Sequence, residues 1–165
     1  MSFQTRRYLI YALTLFGIFI WLSAIFLAPY LKSRHSVWNV LLYAVFSSVC
    51  HQIPGRSFHI FGFPLAVCAR CFGIYFGFFL GTLAFPAFRR FSSVSLPKNI
   101  VFIFFSLPIV ADTIGNFFHF WQSSNVLRFF IGISWGIILP VYFLAGLFIA
   151  FERKKHLNLE RKNIE

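Results

Sequence analysis

Residues 8–30 read YLIYALTLFGIFIWLSAIFLAPY, and no side chain from Tyr8 to Tyr30 is charged. Such a run exceeds the roughly 20 residues that an α-helix needs to cross about 30 Å of hydrocarbon. The rest of the chain agrees. It is 59% hydrophobic, 22% aromatic and 12% charged, with 26 phenylalanines. A soluble domain carries about a quarter of its residues as charges, so the solvent for most of this surface is lipid. Arg6 and Arg7 precede the run as in a signal peptide. Its apolar stretch, however, outruns the usual 7–15 residues and no small-x-small cleavage site follows, which predicts a retained anchor.

Three more stretches are long enough to span: roughly Pro64–Phe88, interrupted by Arg70; Asn99–Phe120, interrupted by Asp112; and Val126–Phe151, with Arg128 near its start. With the first, roughly Tyr8–Leu31, they predict four transmembrane helices. Val37–Val49 is apolar but only about 13 residues long, too short for a comfortable span. It reads as an interfacial or re-entrant helix, an element tolerated at membrane depth when protein surrounds it. The expected fold is therefore all-α: one polytopic membrane helix bundle over residues 1–165, with a short extra helix and a polar tail from 152 to 165.

Charge sets the expected orientation. Four spans place Arg6, Arg7, Arg89, Arg90, Lys98, Arg153, Lys154, Lys155, Arg161 and Lys162 on one side and Lys32, Arg34 and Arg56 on the other. The positive-inside rule puts the first group, with both termini, in the cytoplasm of a cell whose plasma membrane holds the chain. Five spans would erase the asymmetry. The net charge of +11 does not point to nucleic acid. Its expected partners are the bilayer itself and anionic lipid headgroups on the cytoplasmic side; the sequence names no protein partner.

Chemistry is concentrated in one passage: Cys50-His51-Gln52-Ile53-Pro54-Gly55-Arg56-Ser57-Phe58, then Cys68-Ala69-Arg70-Cys71-Phe72-Gly73-Ile74-Tyr75. It holds all three cysteines. Cys68 and Cys71, three apart near a helix start, share one face. A helix N-terminus and a nearby arginine both favour thiolates there. Cys50, His51, Cys68 and Cys71 match a Cys₃His zinc set in ligand type. Against this, Cys50 and His51 are adjacent, and neighbours on a helix diverge by about 100°, so both reach one metal only from a turn. Asp112 and His119 are the reserve ligands. Asp112, Asn116 and His119 fall at i, i+4 and i+7, one helix face.

These residues carry a resemblance. Cys-His-Gln-x-Pro-x-Arg-Ser-Phe followed by Cys-Ala-Arg-Cys-x-Gly-x-Tyr-x-Gly is similar to a prokaryotic family of small predicted integral membrane proteins, classed as a domain of unknown function. Asp112, Asn125, Arg128, Gly132 and Gly136 match its later elements, and the resemblance runs roughly from Cys50 to Gly136. It implies that this constellation, Arg56 included, is the family's site; it brings no activity with it. Thr113 stands where family members usually place a glycine.

Each feature also has a plainer reading. A CxxC pair in a membrane helix can be two small apolar packers. Gly73, Gly77 and Gly81, like Gly132 and Gly136, read as helix-packing stripes, and His119 as an interfacial histidine. Asp112 is different: it is the sole acid before Glu152. A charge at mid-span costs about 2.5–3.5 kcal/mol on insertion scales, so it needs a partner or a function. Depth along the spans matches it with Arg70, with Arg128 closing the network. Three functional classes follow: a metal-binding membrane protein, zinc suiting the ligands best; a thiol–disulfide oxidoreductase using Cys68 and Cys71; and a small transporter or assembly factor using Asp112 and the arginines.

Overall fold

Four helices long and apolar enough to cross a membrane organise the computed structural model, which describes residues 3–88 and 98–162. They are α1 (Phe3–Ser33), α3 (Ala69–Phe88), α4 (Asn99–Phe117) and α5 (Asn125–Lys162). The short α2 (Trp38–Ser47) lies between the first two. Its 10 residues rise only about 15 Å, half a bilayer core. The protein is an all-α polytopic bundle, multi-pass by the length and composition of its helices. Arg89 and Arg90, which entered the charge count, and the chain end from residue 163 lie outside the described residues.

The second spanning helix starts later than the sequence predicts, at Ala69 rather than Pro64. Phe63–Pro64 (β2) instead pairs antiparallel with His59–Ile60 (β1) in a minimal hairpin. Phe61 and Gly62 make its turn with φ of 56° and 80°. Leu65, Ala66 and Val67 then follow as a bent, non-helical segment that is fully buried. Their backbone needs partners there, and side chains supply part of them. Gln52 Nε2 donates to Ala66 O (2.8 Å) and Tyr43 O (2.7 Å). Tyr43 hydroxyl donates to Pro64 O, and Leu65 N–H to Phe58 O. The loop is thereby pinned beneath α2, whose Phe46 packs edge-on against Trp21 of α1.

The tightest seam joins α3 to α5. A Cβ added at Gly73, Gly77 or Gly81 would meet the carbonyl oxygens of Phe129, Ile133 and Ile137 at 2.2, 2.6 and 2.3 Å. At Gly132 and Gly136 it would meet Arg70 O and Ile74 O at 2.4 and 2.3 Å. Both stripes step by four and advance together, so the two helices run parallel with their backbones touching, as small residues allow. Phe85 of α3 packs with Leu144 and Phe148 of α5 and with Tyr11 and Ile10 of α1 at the far end. That end carries both ends of the described chain; the cysteines lie at the other. α4 leans on α5 through Trp135 Nε1–H to Ser106 Oγ (2.9 Å) and Tyr142 hydroxyl to Lys98 O (3.0 Å). Ile100, Phe104, Leu107 and Phe117 of α4 face outward.

Candidate metal centre and its arginine cavity

The turn after α2 resolves the crowding of Cys50 and His51. Gln52 takes a left-handed φ of 51°, one that asparagine, aspartate and histidine adopt more often than glutamine; its side chain is spent on the two carbonyls just described. The two neighbours consequently part. Cys50 is buried and His51 is exposed. Cys68 ends the buried non-helical segment and Cys71 sits in the first turn of α3. The ligand atoms of Cys50, Cys68 and Cys71 all lie within 4.8 Å of one another. Cys68 Sγ is 3.4 Å from Cys71 Sγ, and the Cys68 N–H donates to Cys50 Sγ at 3.2 Å.

Three of the four expected ligands thus converge. Among the described residues they are the set with mutually close ligand atoms, and His51 is not in it. The reason is the turn: His51 points from the rim of the same cavity that the three sulfurs line. Hydrogen bonds from the Cys68 and Cys71 thiols push the Cys50 thiol down to about 2, against the opposing effect of burial. The same contact pushes the Cys68 thiol up. Hydrogen bonding within the trio thus favours ionisation at Cys50 over Cys68 and Cys71.

Neither reserve ligand joins. Asp112 is 4% exposed and fully engaged. Arg70 Nη2 bonds Asp112 Oδ2, and Ser123 Oγ and Asn116 Nδ2 donate to Asp112 Oδ1. Asn116 Oδ1 in turn accepts from Arg128 Nη2 at 2.9 Å. Arg128 Nη1 reaches Asn125 Oδ1 at 3.2 Å, and Asn125 Nδ2 lies 3.3 Å from Gly55 O. The network therefore runs from α3 through α4 to α5 and on to the 3₁₀ turn Pro54–Arg56. His119 leaves the helix face on which the sequence places it. α4 ends at Phe117 and His119 takes a φ of 60°, so its ring lines a neighbouring cavity instead.

Two participants escaped the sequence reading. Ser123 has no motif around it; only the fold-back of the α4–α5 loop brings it to Asp112. Thr113 accepts a hydrogen bond from Arg70 Nη1 at 3.0 Å. Its hydroxyl, next in sequence to Asp112, is the signal that could have found it.

The sulfurs open on a cavity of about 300 Å³ lined by His51, Arg56, Arg70 and Arg128. A second, of about 430 Å³, lies beside it and shares Ile53, Arg56 and Arg128. Three soft ligands at the edge of an arginine-lined cavity can hold a thiophilic cation and leave one position open. Two close thiols can also exchange with a disulfide.

Residues 50–142 match the family described as "Predicted membrane protein (DUF2085)". An uncharacterized protein of Methanocaldococcus jannaschii is 38% identical over 144 residues, covering 81% of this chain and 92% of that protein. An uncharacterized protein of Methanothermobacter thermautotrophicus is 34% identical over 99 residues, covering 58% of this chain and 85% of that protein. No solved structure matches.

Proposed function

The chain belongs to the family of predicted membrane proteins DUF2085, and on that premise we propose that it is a metal-binding membrane protein whose Cys50, Cys68 and Cys71 hold a zinc ion. The observation that carries this is the convergence of three sulfurs, from chain segments 18 residues apart, within 4.8 Å. Thiolates select zinc, copper(I) and iron–sulfur clusters. A single four-coordinate zinc suits three thiolates plus one further ligand, whereas clusters ordinarily take four cysteines. A fourth ligand would be either His51, which lines the same cavity but lies outside the close set and would complete a structural centre, or a water, which would suit hydrolytic chemistry. The basic residues at the far end favour a plasma-membrane orientation with that end cytoplasmic, so the metal faces outward.

Elemental analysis of the full-length protein in mild detergent, with thiols counted in parallel, tests the reading. One zinc per chain is expected, and Cys68→Ser with Cys71→Ser should abolish it, because serine keeps the size and loses the thiolate. The 3.4 Å separation of Cys68 and Cys71 supports a second reading, thiol–disulfide exchange. Absence of stoichiometric metal together with a reversible Cys68–Cys71 disulfide would replace the first with the second.

A further inference from the structure

The charges around the two cavities do not balance. Arg56, Arg70 and Arg128 line one of them together. Asp112 is bonded to Arg70. The remaining acids, Glu152, Glu160 and Glu165, follow the far end of the last span. Glu152 is 24 residues beyond Arg128, about 36 Å along α5. Three guanidiniums therefore face one carboxylate. Arg128 is the exposed end of this mismatch in energy, not in space. It is only 8% exposed, and its bonded partners, Asn116 and Asn125, are neutral amides. A buried cation without a counter-ion is strongly unfavourable. The Arg70 Nε is buried with no hydrogen-bond partner.

The backbone adds to the same sign. Because the glycine seam holds α3 and α5 parallel, both helices begin at this spot. Each helix N-terminus presents unpaired N–H groups and a partial positive charge. The wider cavity brings Gln122, Ser124 and Asn125 to Arg56 and Arg128. Two planar guanidinium forks surrounded by hydroxyl and amide donors suit a tetrahedral oxyanion better than a spherical anion.

We propose that the wider cavity, lined by Arg56 and Arg128 at the joined starts of α3 and α5, binds a phosphate-type oxyanion. The group is either a free phosphate or the phosphate of a lipid headgroup. Arg56 and Arg128 hold its oxygens, and its charge completes the balance around Arg128. The site goes beyond the metal reading and does not depend on it, since no cysteine lines the wider cavity.

The test uses the full-length protein in a phosphate-free maltoside detergent. In one arm inorganic phosphate is titrated calorimetrically, with acetate at equal ionic strength as the control. In the other, protein reconstituted in phosphatidylglycerol–phosphatidylcholine vesicles is re-extracted, and retained phospholipid is weighed by native mass spectrometry. Saturable phosphate binding identifies the free ion as the source; retained lipid that phosphate fails to displace identifies the headgroup. In either case Arg56→Gln, an exposed position that should fold, is expected to weaken binding by about tenfold or more, as loss of a charged hydrogen bond does. Arg34→Gln, a cation at the same end but outside the cavities, should leave it unchanged. Cys68→Ser with Cys71→Ser should keep the oxyanion while losing the metal. The proposal is overturned by no saturable binding in either arm, by equal acetate binding, by equal losses in Arg56→Gln and Arg34→Gln, or by loss of the oxyanion with the cysteines.

Discussion

Asp112 shows how much one residue can reveal from its place in the chain alone. It is the one acid among the first 151 residues, and its depth in the third span matches Arg70 in the second. The bond between them is present. Removing one partner of a buried pair typically costs about 3–5 kcal/mol, because the other charge is left stranded. Arg70 is 21% exposed against 4% for Asp112, so its partner's loss should cost toward the lower end of about 3–5 kcal/mol. Asp112→Ala and Arg70→Ala should each lower the thermal midpoint in detergent sharply, and the double variant should lose less than the sum. Additive losses would dissolve the pair. The sequence could not show Ser123 or the outward turn of His51. Both depend on backbone geometry in loops, where no periodicity reports a side chain's direction.

At the scale of elements, the glycine stripes were legible as packing faces, yet their partner was not. A stripe states that something approaches closely and leaves open what approaches. The contacts make the answer testable. Gly73→Ala and Gly132→Ala each drive a methyl into backbone and should destabilise by about 1–3 kcal/mol, the usual cost of overpacking. Gly17→Ala and Gly146→Ala meet nothing within 4 Å and should be neutral or gain up to about 1 kcal/mol of helix propensity. Melting all four variants in one detergent separates the classes; equal behaviour would mean the seam is loose. The late start of α3 was hidden for a different reason. Phe63–Val67 is as apolar as a helix, and hydropathy does not distinguish a non-helical segment buried by protein from a helix facing lipid.

For the whole molecule, run length and composition were enough to give four spanning helices, and helix direction agrees with both chain ends lying opposite the cysteines. The compartment is a further step, argued from basic residues alone. Reporter fusions at residue 165 and within Arg56–Ile60 should report opposite sides of the membrane, the first cytoplasmic; a non-cytoplasmic C-terminus would remove the orientation. The parallel seam has one more consequence, in the order of biosynthesis. α3 and α4 are consecutive, so Arg70 and Asp112 can enter the bilayer as a mutually neutralised hairpin. The closest backbone contact, however, joins α3 to α5, and α5 is made last. Domains form as their chain emerges from the ribosome, so α3 waits in lipid with its glycine face uncovered until residues 129–137 have been translated. The seam cannot close, and Arg128 cannot reach its cavity, before that last helix is made.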